Sequence, residues 1–137
     1  ALALLLLLAC EPGRENRAEE FTRGLSAVHR WDPEKQAGGF YAYDELMALG
    51  EDAYVVLIAH LTDTTETRIM DLAEITVPTV GDVCFHMLLR LSGMKVEDFR
   101  AEGVVVMREI QNPIFGVRFD PGARTRVQKK FRSVLKK

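Results

Sequence analysis

The residues of this chain whose types and spacing could support chemistry are Asp82, His86 and Arg90, which follow one another at intervals of four. On a helix, this spacing places the three side chains on one face. A carboxylate beside an imidazole can orient the ring as a general base, so Asp82 and His86 are candidate catalytic residues. Cys84 falls on another side of the helix, so the pattern places no serine or cysteine nucleophile beside the pair. The alternative, which we favour, is a polar stripe that faces solvent or a histidine hydrogen-bonded where two helices meet.

The histidines form no metal-binding pattern. His29, His60 and His86 each stand alone, and the sequence contains neither a His-x-x-x-His pair nor a Cys-x-x-Cys pair. Residues 63–66, Asp-Thr-Thr-Glu, have too few oxygen donors and no central glycine for a calcium loop, so we expect Asp63 to cap a turn. The sequence also has no glycine-rich phosphate-binding loop. We therefore predict neither a metal nor a cofactor.

Positive charge is concentrated at the carboxyl end of the chain. From residue 118 onward there are eight Lys/Arg and one acid, a balance of +7, and the preceding residues have ten Lys/Arg and nineteen acids, a balance of −9. The candidate binding residues are the cations of the last predicted helix: Arg124, Arg126, Lys129, Lys130 and Arg132. An anionic lipid surface would attract them by about 1 kcal/mol per close side chain, whereas nucleic acid is a poor partner for an exported chain. The alternative is an ordinary solvated face that balances the acidic body.

Aromatic residues cluster before the middle of the chain, at Trp31, Phe40, Tyr41 and Tyr43. Such a cluster could line a binding groove. More often it forms the packed edge between a loop and the neighbouring helices, and this is the interpretation that we favour.

The elements that must position these groups are organised around residues 79–92. Thr79 and Asp82 form a capping pair that opens a helix, and Gly93 is a typical stop. The intervening apolar residues cover nearly the whole circumference of this helix: Val83, Cys84, Phe85, Met87, Leu88, Leu89 and Leu91. A helix that is apolar on nearly every side has neighbours on nearly every side, so we expect it at the centre of the core.

The remaining pattern predicts a mainly α fold, a small bundle of about five helices in a single domain of residues 17–137. Apolar residues recur at helical spacing over residues 17–30, 43–49 and 51–61. Two short runs rich in valine and phenylalanine, residues 104–107 and 115–119, predict a minor β-hairpin.

The last helix is predicted to begin with Asp120 as its N-cap and Pro121 at its first position. We expect its apolar residues to face inward, and these are Val127, Phe131, Val134 and Leu135.

The first ten residues form a separate unit. Residues 1–9 are a purely apolar run, too short to span a bilayer and typical of the h-region of a secretory signal. Leu7-Leu8-Ala9-Cys10 resembles the lipobox of bacterial lipoproteins. The resemblance implies removal of residues 1–9 as a signal peptide, acylation of Cys10, for example with palmitate, and a tether over residues 10–16. The alternatives are an ordinary signal peptide or a buried helix fragment. Because neither an initiating Met nor a basic n-region is present, we expect the chain to begin earlier.

A second resemblance concerns residues 46–63, which are similar to one HEAT-type repeat unit. The shared features are Gly50 between two helices, the Leu57-Ile58 pair in the second helix and Asp63 after it. No second copy is visible one repeat length later. Together with residues 79–85, Thr-Val-Gly-Asp-Val-Cys-Phe, the unit resembles uncharacterised bacterial envelope proteins with a helical-repeat core. That resemblance implies no activity.

The sequence therefore favours a lipid-anchored bacterial cell-envelope protein, on the periplasmic or extracellular side, that acts as a protein-binding or scaffolding module for an unknown envelope protein. The alternative is an exported hydrolase or transferase that uses the Asp82/His86 pair, with Thr64 or Thr65 nearby. A third possibility is a structural module that steadies a larger envelope complex through its acidic face.

Overall fold

Five α-helices and one β-hairpin form the part of the chain that the computed structural model describes, residues 12–31, 41–70, 76–107, 110 and 112–135. The helices are α1 (Pro12–Gly24), α2 (Tyr41–Leu49), α3 (Tyr54–Ala59), α4 (Val80–Ser92) and α5 (Ala123–Val134). Short 3-10 helices span Leu25–Ala27, Gly50–Ala53, His60–Thr62 and Val96–Glu102, and the strands are β1 (Val104–Val106) and β2 (Val117–Phe119). The predicted fold class, a small helical bundle with a minor hairpin, is confirmed.

Helix α4 lies at the centre of the core, as its composition predicts. Its N-terminus is closed by a capping box, in which the Thr79 hydroxyl accepts the Asp82 N–H at 3.2 Å and the Asp82 carboxylate accepts the Thr79 N–H at 2.8 Å. Its C-terminus ends at Gly93, whose φ of 72° is the left-handed conformation that glycine adopts without strain. Nine of its thirteen residues are buried between these caps.

A cluster of phenylalanine rings ties the C-terminal elements to α4. The Phe85 ring lies 5.5 Å from that of Phe99, 5.2 Å from that of Phe119 and 6.2 Å from that of Phe131, in each case edge to face. These partners belong to the last 3-10 helix, to β2 and to α5. A single ring of α4 therefore holds three separate elements in place through contacts that aromatic pairs favour.

The turn that follows α3 packs closely against the start of α4. The Gly81 N–H donates to the Asp63 carbonyl at 3.0 Å. A Cβ atom at Gly81 would overlap the carbonyl oxygen of Leu61. Glycine is therefore required at this position by the close approach of two backbones.

The hairpin forms where the β-branched residues predict it. Strands β1 and β2 pair antiparallel, with Val104 opposite Phe119 and Val106 opposite Val117. Both strands are three residues long, shorter than the runs in the sequence.

Helix α1 begins earlier than the sequence pattern predicts. It starts at Pro12 rather than at residue 17, so residues 12–16 belong to the helix. Proline is compatible with the first turn of a helix, where its missing N–H has no intrahelical role. Arg14 in this turn also forms a 2.8 Å ion pair with Asp52 at the surface.

Helix α5 begins later than predicted. Asp120 and Pro121 belong to a turn in which the Ala123 N–H donates to the Asp120 carbonyl at 2.9 Å, and the N-cap is Gly122 with a left-handed φ of 78°. Val127 and Phe131 are buried as predicted. Val134, which the pattern placed inward, is instead 53% exposed.

An ion pair between α4 and α5 joins four elements. Arg124 lies 2.5 Å from the Asp82 carboxylate and also donates to the Leu61 carbonyl at 3.2 Å. Its guanidinium lies 4.1 Å from the centre of the Phe119 ring, close enough for a cation–π contact. One side chain thus connects α5 with the cap of α4, the turn after α3 and strand β2.

Replacing Arg124 by Met should lower the free energy of unfolding by about 2 kcal/mol, because Asp82 would lose a charged hydrogen-bond partner in a partly buried position. Lys129→Met is the matched control, since Lys129 lies on the same helix, is exposed and has no partner in the described part of the chain. The control should change the free energy by less than about 0.5 kcal/mol. Urea denaturation measures both, and equal losses would contradict the role assigned to Arg124.

Candidate functional site: a cavity beneath the hairpin

A cavity of about 440 Å³ opens between α4, the segment that follows it and the hairpin. Its described walls are mainly apolar and include Leu89, Met94, Val106, Ile110, Pro113 and Val117. The polar residues that line it are His86, Arg90, Lys95 and Glu97. An apolar cavity of this size with a few converging polar groups is typical of small-molecule binding sites.

His86 is the buried polar group of the cavity. It is only 6% exposed, and its ring lies edge to face against Trp31, with centroids 5.4 Å apart. Within the described residues it has no hydrogen-bond partner. Burial lowers the pKa of His86 from an ordinary 6.5 to about 4, although the negative charge of Asp82 acts in the opposite direction. The imidazole is therefore neutral at pH 7 and offers one donor and one acceptor nitrogen.

Asp82 does not complete a catalytic pair with His86. One oxygen of its carboxylate accepts the Thr79 N–H and the other pairs with Arg124, and Asp82 is not among the described residues that line the cavity. The polar stripe of α4 is thus divided, because Asp82 belongs to the helix cap, His86 to the cavity and Arg90 to its exposed rim. Asp82 is therefore not the group that orients the His86 ring.

Arg90 also lies next to Tyr43, on helix α2. Burial raises the pKa of the Tyr43 hydroxyl, and the nearby positive charge of Arg90 opposes that shift. Trp31 packs edge to face on Tyr43, with ring centroids 6.2 Å apart, and both side chains are buried. Of the predicted aromatic cluster, Trp31 and Tyr43 pack on each other, whereas Tyr41 is 67% exposed. Phe40 lies outside the described residues.

His60 occupies a bridge that sequence reasoning missed. Its Nε2 lies 2.8 Å from the Glu19 carboxylate and its Nδ1 lies 3.0 Å from that of Asp63, so it joins α1 to the turn after α3. Asp63 also accepts the Thr65 N–H at 2.9 Å, which confirms its expected role in a turn. Burial by itself would raise the pKa of Asp63, but hydrogen bonds from Thr65 and His60 outweigh it and lower the pKa.

Neither the two threonines named as possible partners of His86 nor Cys84 lines the described part of the cavity. Thr64 and Thr65 lie in the turn beside the start of α4 and are not among the described residues that line the cavity. Cys84 is fully buried, and this burial raises the pKa of its thiol, so it is not a reactive nucleophile. Over the described residues, no three His, Cys, Asp or Glu side chains are arranged to hold a metal ion. Cys10 lies outside the described part of the chain.

Three of the five cations predicted to form a binding face have structural partners. Arg124 pairs with Asp82, and Arg126 donates to the carbonyls of Glu102 and Pro121. Lys130 lies 3.2 Å from the Glu102 carboxylate and also donates to the carbonyl of Asp98.

The remaining two cations of that face, Lys129 and Arg132, are exposed and have no partner within the described residues. The surface that could meet an anionic lipid headgroup is accordingly smaller than the composition of α5 indicates.

A second opening, which we call the α3–α5 groove, has a volume of about 590 Å³. Its apolar lining comes from both helices and comprises Val55, Ile58, Ala59, Phe131 and Leu135. Glu51 and Asp52 line it on the α3 side and Arg132 on the α5 side. The groove therefore combines an apolar floor with charges of both signs.

Comparison of the chain with protein-family models, with curated proteins and with solved structures finds no match. The resemblances to a lipobox and to a HEAT-type unit therefore rest on the residues quoted above. Among the helices that the structure describes, none has the length and apolar character needed to cross a bilayer.

The neutral state of His86 predicts a specific dependence of stability on pH. Because its pKa is about 4 in the folded protein and 6.5 ordinarily, the unfolded chain binds more protons between these values. The contribution of the neutral imidazole to the free energy of unfolding is complete above pH 6.5. It decreases by up to about 3 kcal/mol as the pH falls toward 4.

In His86→Leu this part of the pH dependence should disappear, whereas His29→Gln, at an exposed histidine, should retain it. Urea denaturation at several pH values between 7 and 4.5 measures the slope. Identical slopes for the wild type and His86→Leu would show that His86 does not titrate as its burial requires.

Proposed function

We propose that this protein is a lipid-anchored component of the bacterial cell envelope that binds another envelope protein on the periplasmic or extracellular side. The observation that carries the proposal is Leu7-Leu8-Ala9-Cys10 at the end of an apolar run of residues 1–9. A single acyl chain gives only marginal membrane binding. The two or three chains that lipoproteins of this type carry would anchor the domain stably.

The start of α1 determines how far the domain could stand from the membrane. Because the helix begins at Pro12, Cys10 would lie only two residues before it, a span of at most about 7 Å. The folded body would then be held close to the lipid surface. Arg14 fixes the same turn to Asp52, which lines the α3–α5 groove, so this groove would lie near the anchored end.

The α3–α5 groove supports a role in protein binding. Val55 on its α3 side is 69% exposed, so it extends the apolar lining of the groove to the surface, and contiguous exposed apolar patches mark interaction sites. An amphipathic helix of a partner protein would place its apolar side chains in such a groove. The acidic pair Glu51 and Asp52 and the opposing Arg132 would favour a partner helix that carries both basic and acidic residues.

Replacing Cys10 by Ala should abolish incorporation of labelled palmitate and release the protein from the membrane fraction, because the acceptor thiol is lost. Cys84→Ala is the matched control: Cys84 is the other cysteine of the chain and is fully buried, so label and membrane association should persist. Metabolic labelling and membrane fractionation measure both effects. A Cys10→Ala protein that still sediments with membranes would count against the anchor.

Replacing Val55 by Glu should remove crosslinks between this protein and its partner in intact cells, since a charge would then occupy the wall of the groove. Val105→Glu is the control, because Val105 is 44% exposed on the hairpin and lies away from the groove. Both variants should accumulate to the wild-type level. If Val55→Glu leaves the crosslinked species unchanged, the groove is not the binding surface.

A further inference from the structure

The cavity beneath the hairpin contains a polar side chain that makes no hydrogen bond within the described residues. His86 is buried and has no hydrogen-bond partner among the described residues, yet it lines an open space of about 440 Å³. An imidazole placed among apolar side chains loses hydration without gaining a hydrogen bond in the protein. Leucine at this position would avoid that loss. One explanation should therefore account for both the imidazole and the cavity that it lines.

The rim of the same cavity is positively charged. Arg90, one helical turn after His86, and Lys95, just beyond the end of α4, are both exposed and both line the opening. Glu97 is the single acid among the described lining residues. The cavity therefore has a cationic rim, apolar walls and one buried neutral group that can both donate and accept a hydrogen bond.

We propose that this cavity binds a small amphipathic carboxylate, whose acid group lies at Arg90 and Lys95 and whose buried end carries a hydroxyl or carbonyl that hydrogen-bonds to His86. The permanent charges at the rim match an anion, and a neutral imidazole matches an uncharged polar group. Leu89, Val106 and Val117 would contact the apolar body of the ligand.

This inference goes beyond the proposed envelope role and does not depend on it. A phosphate or sulfate ion alone would meet the rim cations but leave the apolar walls and His86 without contacts. A purely apolar molecule would contact the walls but would form no polar interaction with the rim cations or with His86. Only a ligand with an acid, an apolar body and a second polar group satisfies all three parts.

The chain provides its own reporter for this site. Trp31 is the single tryptophan of the sequence, and its ring centroid lies 5.4 Å from that of His86. Binding next to His86 should therefore change the intrinsic fluorescence of Trp31. Saturation-transfer NMR detects the bound probe independently of that signal.

The test uses the whole chain with Cys10→Ala, purified without detergent, and three matched probes. The first is 3-(4-hydroxyphenyl)propanoate, the second is 3-phenylpropanoate, which lacks the hydroxyl, and the third is the methyl ester of the first, which lacks the charge. We expect the hydroxy acid to bind and each analogue to bind about threefold to tenfold more weakly, since each loses one polar interaction. This comparison requires no substitution in the cavity, so it is independent of any effect on folding.

Variants then assign the interactions to residues. Lys95→Gln should weaken binding of the hydroxy acid but not of its ester, and His86→Phe should remove the preference for the hydroxyl group. Lys129→Gln, at an exposed lysine outside the cavity, is the control for a general loss of charge.

Two results would overturn the proposal. The first is the absence of both a fluorescence change and saturation transfer with millimolar hydroxy acid. The second is equal binding of all three probes, or equal effects of Lys95→Gln and Lys129→Gln. Failure of Cys10→Ala to release the protein from membranes would instead bear only on the anchor.

Discussion

The structure depends on the interactions that cap the polar start of helix α4, which is otherwise largely apolar. Nine of the thirteen residues of helix α4 are buried, so its neighbours surround most of it, and the carboxylate of Asp82 at its cap must find partners inside the protein. The backbone of Thr79 and the guanidinium of Arg124 provide them. Because Arg124 also contacts Leu61 and Phe119, the interaction that satisfies the cap also sets the position of α5 and of the hairpin.

The same helix face shows that the surroundings decide what a side chain does. Asp82 is charged and paired, whereas His86, four residues later, lies among aromatic and aliphatic side chains and loses its proton because burial penalises the charged form. Arg90, a further turn along, is exposed at the rim of the cavity. Asp82, His86 and Arg90 share one helix face in the sequence pattern, but in the structure they belong to a helix cap, a cavity and the protein surface, respectively.

The two openings divide the protein into regions with different chemistry. The hairpin, a minor element by length, forms one wall of the cavity that contains His86. The α3–α5 groove lies beside the first turn of α1, to which it is connected through Arg14 and Asp52. The described residues that line the α3–α5 groove differ from those that line the cavity containing His86.

Local pattern in the sequence determined the mainly helical class, the caps of α4, its central place in the core and the position of the hairpin, because capping and periodicity involve residues only a few positions apart. The tertiary structure alone decided which charged groups far apart in the sequence are paired. Glu19 and His60 are 41 residues apart, and Asp82 and Arg124 are 42 residues apart. Local spacing in the sequence does not predict such contacts. The pairing of α5 cations inside the protein and the neutral state of His86 are therefore established only when the elements pack.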